Sequence, residues 1–289
     1  MPLALLLDAP SLIYRAFFAL PKTIADPEGR PVNAVRGFLE MTTRLLVDRR
    51  PDELIATFDD DWRPAFRVAA FAGYKEERPE DPPELPHQFD VIAEVLDAAG
   101  IPRAVSTGLE ADDVLATLCS PVSGEQRVEI VTGDRDLTAL VRDPHVALLF
   151  PVRGVTELIR VDEAKAYEKY GVAAGRYEEF AILRGDPSDG LPGVAGIGPV
   201  RAAKLLEVYG SVEGILAHVE ELPPKQRAGF EAALDYLHAM KRVVPMVRDA
   251  PIERTEAHPP DVDALEALAE RHGLGSSPVR LAQALRGER

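Results

Sequence analysis

Four short apolar runs that stop at or just before carboxylates constrain this chain more than any other feature. Leu3-Ala-Leu-Leu-Leu7 ends at Asp8, Leu54-Ile-Ala-Thr-Phe58 ends at Asp59, and Val128-Glu-Ile-Val-Thr132 runs into Gly133-Asp-Arg-Asp136; a shorter run closes at Val105, ahead of Glu110. Short apolar runs bounded by turn signals and alternating with longer helix-period segments predict βαβ units and a parallel sheet. The expected fold class is α/β, a central mostly parallel sheet flanked by helices. Ligands of such open sheets bind beyond the carboxyl ends of the strands. Asp8, Asp59, Asp134 and Asp136 should therefore converge on one edge although they are far apart in the chain.

Two further acidic groups, Glu110-Ala-Asp-Asp113 and Gly185-Asp-Pro-Ser-Asp189, fall where helices begin or end. Glu110 and Asp113, three apart, share a helix face, with Asp112 beside them in the first turn. Any one of these acids is explained as a cap, a turn former or a favourable charge at a helix start. The ensemble is not. Carboxylates crowded into one pocket repel each other strongly at low dielectric, and oxygen-ligated divalent cations relieve that repulsion. An oxygen-only donor set suits magnesium or manganese, so the pattern reads as a metal-dependent phosphodiester-cleaving site. The six histidines, His87, His145, His218, His238, His258 and His272, show no ligand-like spacing, which argues against zinc.

Two basic segments stand out against a net charge of −15, from 33 basic and 48 acidic residues. The first, Arg63 to Arg78, carries Arg63, Arg67, Lys75 and Arg78 interleaved with Phe66, Phe71 and Tyr74; an ordinary solvated helix end fits it as well as a binding role. The second is the glycine-punctuated turn Gly193-Val-Ala-Gly-Ile-Gly-Pro-Val-Arg-Ala-Ala-Lys204, which offers backbone groups, a helix N-terminus, Arg201 and Lys204 to a phosphate. A plain packing corner has the same pattern. Neither a Rossmann nor a P-loop signature occurs, so nucleotide-cofactor chemistry is unsupported. The acidic total predicts modest non-specific DNA affinity, discounted where carboxylates hold cations. Cys119 is the single cysteine and excludes an intramolecular disulfide. No membrane span or signal peptide is read, and a cytoplasmic protein is expected.

Expected helices cover Val32–Val47, Phe89–Ala98, Asp112–Leu118, Arg135–Val141, Asp162–Lys169, Tyr177–Leu183, Val200–Tyr209, Val212–Val219, Lys225–Val244, Val262–Arg271 and Pro278–Leu285. Phe150–Val152 and Glu157–Val161 read as strands around a turn at Gly154, and the proline-rich stretch Pro79–Pro86 as an exposed, stiff loop.

The motifs Leu7-Asp-Ala-Pro-Ser-Leu-Ile-Tyr-Arg-Ala-Phe-Phe18, Phe58-Asp59, Phe66-Arg67, Gly73-Tyr-Lys-x-x-Arg78, Glu110-Ala-Asp-Asp113, Thr132-Gly-Asp-Arg-Asp136 and Gly185-Asp-Pro-Ser-Asp-Gly-Leu-Pro-Gly-Val-Ala-Gly-Ile-Gly198 occur in that order. In this the chain resembles, over essentially its whole length, the 5′-nuclease family of flap endonucleases and of the 5′-3′ exonuclease domain of bacterial DNA polymerase I. The resemblance implies that Asp8, Asp59, Glu110, Asp112, Asp113, Asp134, Asp136, Asp186 and Asp189 hold two or three Mg2+ or Mn2+ ions, with Asp134 catalytic. It implies that Lys75 and Arg78 engage the scissile phosphate, that Tyr74 stacks on a base, and that Tyr14, Arg15 and Arg67 contribute to DNA contacts. Gly196, Gly198, Arg201 and Lys204 would belong to a helix–two-turn–helix that grips duplex DNA around a K+ ion.

The implied division is an α/β nuclease core over 1–177, with a short helical arch around 75–90, and a helical subdomain over 178–289, with the helix–two-turn–helix around 190–209. The implied protein is a free-standing, monomeric DNA 5′-nuclease with exonuclease and flap-endonuclease activity, leaving 5′-phosphate and 3′-hydroxyl ends. Its partner is DNA with a 5′ flap, nick or 5′ end, and a separate DNA polymerase or ligase is a candidate partner. The alternatives are a catalytically inactive junction binder and a PIN-type ribonuclease. Two departures from the family pattern are Ala9-Pro10 after Asp8 and Gly190 where Asn is usual; Gly190 is expected to loosen the loop that carries Asp189.

Overall fold

The protein is described here by a computed structural model covering residues 2–153 and 155–287, so the expected turn at Gly154 lies outside the described residues. The first half runs β1 (Leu3–Asp8), α1 (Ala9–Ala19), α2 (Asn33–Arg49), β2 (Glu53–Thr57), α3 (Ala65–Ala70), α4 (Pro86–Ala99), β3 (Arg103–Val105), α5 (Ala111–Cys119) and β4 (Arg127–Val131). Then come β5 (Val146–Arg153), β6 (Glu157–Val161), α6 (Glu163–Tyr170), α7 (Tyr177–Arg184), α8 (Pro199–Tyr209), α9 (Val212–Ala217), α10 (Pro224–Ala232) and α11 (Leu234–Val243). The chain closes with β7 (Glu253–Arg254), α12 (Val262–Arg271) and α13 (Ser277–Leu285).

The strands form one sheet in the order β6-β5-β4-β1-β2-β3-β7, with β1 to β5 parallel and only the edge strands antiparallel. Strands covered on both faces read as continuous apolar runs, and the alternation along them divides the core. Leu6, Ile55, Ile130 and Leu148 feed one layer. Leu5, Leu7, Ala56, Val131 and Leu149 feed the other. Strand order reverses beside β1, whose neighbours are β2 and β4. That reversal opens a crevice at the carboxyl edge, and Asp8 stands in it as the last residue of β1.

Several expectations change. The end of the chain does not stay with a separate helical subdomain: β7 pairs with β3, and Leu265, Leu268, Leu274 and Leu281 join the layer built by α1, α2 and α4. No helical arch forms over 75–85, where the chain makes turns before α4 begins at Pro86. Pro79, Pro82, Pro83 and Pro86 remove donors and disfavour helical conformation in the residues before them. The segment Arg135–Val141 is a 3-10 turn, Asp136–Leu140, and Lys225–Val244 splits into α10 and α11 at Ala233. Helix α1 starts directly behind Asp8 with Pro10 in its first turn, where a missing N–H is harmless.

Candidate active site

The strand ends deliver most of the predicted acids to one cleft, and Thr132 ties two of them together. Its hydroxyl donates to Asp8 Oδ2 at 2.6 Å and accepts the Asp134 N–H at 2.8 Å, while Asp134 Oδ1 accepts the Asp136 N–H at 2.8 Å. Ser11 accepts the Gly133 N–H at 2.9 Å and fixes the start of the same turn. Sequence reading gave Thr132 and Ser11 no role. The available signal was position, one closing a strand and the other three residues past Asp8.

Asp8 is buried, and its pKa is pushed up to about 7 by burial first, with the charges of Asp134 and Asp59 adding and the Thr132 bond opposing. Asp136 is also pushed up to about 7, by partial burial and then by Asp134, Asp186 and Asp189. Asp112 is driven well above the usual carboxylate range by burial, then by Asp134, Asp8 and Glu110. Asp59 lies on the cleft wall, open to solvent on one side and enclosed on the others; enclosure raises its pKa, Glu110 adds, and the Ala111 N–H at 2.7 Å opposes. Asp189 is raised by enclosure against the pull of Lys75.

These shifts share two causes: burial first, and then carboxylates brought close to one another. Asp136 Oδ1 is buried with no hydrogen-bond partner among the described residues. A cavity of about 40 Å³ lined by Glu110, Asp112, Asp136 and Asp189 leaves room beside them for an ion or ordered water. Oxygen donors, mutual repulsion and an orphaned oxygen together fit divalent cations.

Three acids are spent differently. Asp113 is fully buried and accepts Arg67 through both oxygens at 2.7 Å, the Val247 N–H at 2.8 Å and the Glu110 N–H at 3.3 Å. Glu110 takes Arg67 at 2.7 Å, the Tyr74 hydroxyl at 2.8 Å and the Lys75 ammonium. Asp186 accepts Arg135 at 2.6 Å, Arg184 at 3.1 Å and the Ser188 hydroxyl at 2.6 Å; these outweigh its burial and lower its pKa.

Two expected DNA contacts and one expected metal ligand are therefore corrected. Arg67 is 3% exposed and donates also to the Val243 carbonyl at 2.8 Å, so it is an internal counter-ion. Asp113, its partner, has both oxygens committed. Tyr74 is 5% exposed with its hydroxyl on Glu110, and presents no open face to a base.

Lys75 stays within the site. Burial works against its ammonium, but Glu110 and Asp189 outweigh burial and hold it charged. Its backbone adopts φ 51°, a strained value for a non-glycine residue, and its N–H reaches the Asp189 carbonyl at 3.0 Å. Gly190 makes that approach possible. At φ +72°, a Cβ there would stand 2.3 Å from the Gly73 carbonyl oxygen. Gly190 thus presses the Asp189 loop against the Lys75 segment, the opposite of the loosening expected.

Arg78 is exposed, with its guanidinium carbon 5.9 Å from the centre of the Trp62 ring, and Trp62 is 45% exposed. Trp62 is the open aromatic beside the basic pair, and sequence reading missed it although it is the single tryptophan and lies just past Asp59. Tyr14 donates to Asp81 and Lys22 bonds Glu84 at 3.1 Å, so both tether the proline-rich loop. Arg15 donates to the Pro151 carbonyl. In the second basic segment Gly196, Gly198, Val200, Arg201 and Lys204 are all exposed around the start of α8. Arg201 donates to the Gly196 carbonyl at 2.7 Å, and Lys204 pairs with Glu207 at 2.9 Å.

Fold and site together define an α/β protein with a parallel sheet whose carboxyl edge is lined by acids, with Lys75 buried among them and Arg78 exposed nearby. Two family models match in succession, the 5′-3′ exonuclease N-terminal resolvase-like domain over residues 3–171 and the 5′-3′ exonuclease C-terminal SAM fold over 172–263. The chain belongs to the 5′-3′ exonuclease family. It is 48% identical to a 5′-3′ exonuclease of Streptomyces coelicolor, over 96% of this chain and 98% of that protein. It is 41% identical to DNA polymerase I of Mycobacterium leprae over 88% of this chain, which spans 28% of the polymerase. In fold it is similar to a phage T5 flap endonuclease solved with DNA and metal ions, with TM-score 0.67 at 19% identity over 98% of this chain and 99% of that one.

Proposed function

We infer that this protein is a structure-specific DNA 5′-nuclease, hydrolysing phosphodiesters near single-strand/duplex junctions as a 5′-3′ exonuclease and flap endonuclease. The observation that carries the reading is the set of acids with raised pKa values, Asp8, Asp59, Asp112, Asp136 and Asp189, gathered with Asp134 in one cleft beside Lys75. These six would hold two or three Mg2+ or Mn2+ ions, with Glu110 at their margin and Asp186 behind Arg135. When bound, such ions activate water and stabilise the leaving oxygen.

The chain's own groups supply the rest. Lys75 is pre-charged and poised on Glu110, ready to share its protons with a phosphate that enters the cleft. Arg78 brings a second, exposed cation to the same phosphate and neutralises charge that develops there. Trp62 offers the stacking face that Tyr74 lacks, offsetting the cost of unpairing the terminal bases. The exposed turn at Gly196 and Gly198, with Arg201 and Lys204 on the helix behind it, would grip the duplex backbone through main-chain groups and phosphate contacts. A K+ ion at that turn would take the Gly196 carbonyl now held by Arg201. The products are a 5′-phosphate and a 3′-hydroxyl. The enzyme would act as a cytoplasmic monomer on flaps, nicks and 5′ ends that a polymerase leaves and a ligase seals.

Among the described residues no helix is long and apolar enough to cross a membrane. The test is cleavage of a 5′-labelled flap substrate with magnesium, manganese or chelator, with Asp134→Asn run beside the wild type. Metal-dependent cutting near the junction that disappears in the variant is expected. Binding of the flap without cutting under either metal would leave a junction binder in its place.

A further inference from the structure

Away from the acidic cleft, the fold gathers three side chains that the sequence keeps far apart. Asp26 lies in the loop between α1 and α2, His87 in the first turn of α4, and His272 directly after α12. Each offers one ligand atom, and these atoms all lie within 4.8 Å of one another. Their spacing in the chain is unlike that of any metal motif, which is why the histidines argued against zinc; folding brings two of the six together beside Asp26.

The second observation concerns hydrogen bonding. His272 is 5% exposed, yet neither of its ring nitrogens has a hydrogen-bond partner among the described residues, and His87 Nε2 is likewise buried without one. Buried polar groups are normally satisfied, and each exception calls for a reason such as an ion or water. Two imidazoles with orphaned ring nitrogens beside a carboxylate supply three donors of the kind that a divalent transition cation takes.

We propose that Asp26, His87 and His272 form a structural site for a zinc-class divalent cation, separate from the catalytic acids. Three atoms no more than 4.8 Å apart leave a central point within about 2.8 Å of each, so shifts of under about 1 Å reach the 2.0–2.2 Å of zinc bonds to His and Asp. Asp26 at present accepts the Glu28 and Arg30 N–H groups at 2.9 and 2.8 Å and Arg30 Nε at 2.7 Å. The Arg30 side chain is half exposed and also pairs with Glu28 at 3.2 Å, so its guanidinium can leave Asp26 to the incoming cation without losing an acidic partner. Glu94, 3.9 Å from His272 Nε2, supplies a further carboxylate at the rim. Gly273 brings the turn after α12 onto the Asp26 loop, where a Cβ would stand 3.3 Å from Asp26 Cα. A cation there would staple the end of the chain to the α1–α2 loop and to α4.

The test uses chelator-treated full-length protein in excess magnesium, which occupies the oxygen-only cleft, and titrates Co2+ while the visible ligand-field bands are recorded. One equivalent of cobalt with tetrahedral-type bands, displaced by Zn2+, is expected in the wild type and in Asp134→Asn. The affinity should fall at least tenfold in His272→Asn and in the half-buried His87→Gln, since loss of a direct ligand costs no less than loss of an outer one, about 10–100-fold. Zinc should raise the melting temperature of the wild type and not of His87→Gln. Absence of the bands in the wild type under magnesium, or their persistence in a folded His87→Gln, overturns the proposal. Loss of the bands in Asp134→Asn with retention in His87→Gln would assign the cobalt to the catalytic cleft, with the same consequence.

Discussion

One edge of the sheet carries two populations of acid. Glu110, Asp113 and Asp186 are answered from within by Arg67, Lys75, Arg135 and Arg184. Among the described residues Asp8 and Asp112 have no salt-bridge partner and Asp136 has only Arg135 at 3.9 Å; burial first, and then crowding, raises their pKa values. The difference is sharpest between neighbours, Asp112 and Asp113, which helix α5 turns in different directions, one toward Asp8 and Asp134 and one onto Arg67. Buried charges that are paired internally are scaffold, and removing one partner leaves the other stranded. Buried like charges without partners are costly to the apo protein and point to cations supplied from outside.

The largest effect should follow from breaking the internally paired group. Arg67→Met leaves Glu110 and Asp113 buried with lost counter-charge, and should destabilise the protein by about 3–5 kcal/mol, read by urea denaturation. Its DNA affinity, measured on whatever folds, should follow stability and show no separate loss. In the other population the sign reverses. Asp134→Asn should cut flap cleavage by at least about 10²-fold while raising the melting temperature in chelator, because it relieves repulsion on Asp8, Asp112 and Asp136.

A smaller change is expected from Gly190→Asn, which installs the family's usual residue. Asn tolerates the left-handed backbone, but its Cβ meets the Gly73 carbonyl, so a loss of about 1–3 kcal/mol is expected with slower cleavage, measured by thermal melting and flap assay. The pH dependence of the apo protein comes next. Asp8 and Asp136 are raised from 3.8 to about 7 on folding. Between those values the folded state keeps protons that the unfolded chain has released, so this stability contribution is complete at low pH and is lost as pH rises through about 7. In chelator the melting temperature should carry a falling component across that window, and saturating magnesium should remove it. The smallest effect on stability, within about 0.5 kcal/mol, should come from Arg201→Ala and Lys204→Ala, which lie outside both populations. Each should weaken duplex binding and make its salt dependence shallower by about one unit of slope.

Much of this was legible in the sequence for a physical reason. A parallel sheet buried on both faces writes itself as apolar runs, and the acid after each run marks the carboxyl edge, so Asp8, Asp59, Asp134 and Asp136 could be placed together before any coordinates. What could not be read was how each charge is spent. Arg67 looks like a DNA contact beside Phe66 in a basic, aromatic segment, and only the fold shows it enclosed between α5 and the chain after α11. Gly190 looks like slack, because a missing side chain is visible in a sequence and the Gly73 carbonyl that excludes one is not. The return of α12 and α13 to the first layer is a long-range pairing that helix period alone does not announce. Trp62 gains meaning only when Tyr74, the more conspicuous aromatic, turns out to be buried.

The claim that two adjacent acids do opposite jobs is tested most directly by titrating Mn2+ calorimetrically into chelator-treated wild type, Asp112→Asn and Asp113→Asn, with melting temperatures taken on the same samples. Asp112→Asn should bind Mn2+ more weakly and melt higher without metal, whereas Asp113→Asn should melt lower and keep near wild-type affinity. Strong loss of Mn2+ binding in Asp113→Asn with none in Asp112→Asn would contradict the division of the cleft into scaffold and cation-binding acids.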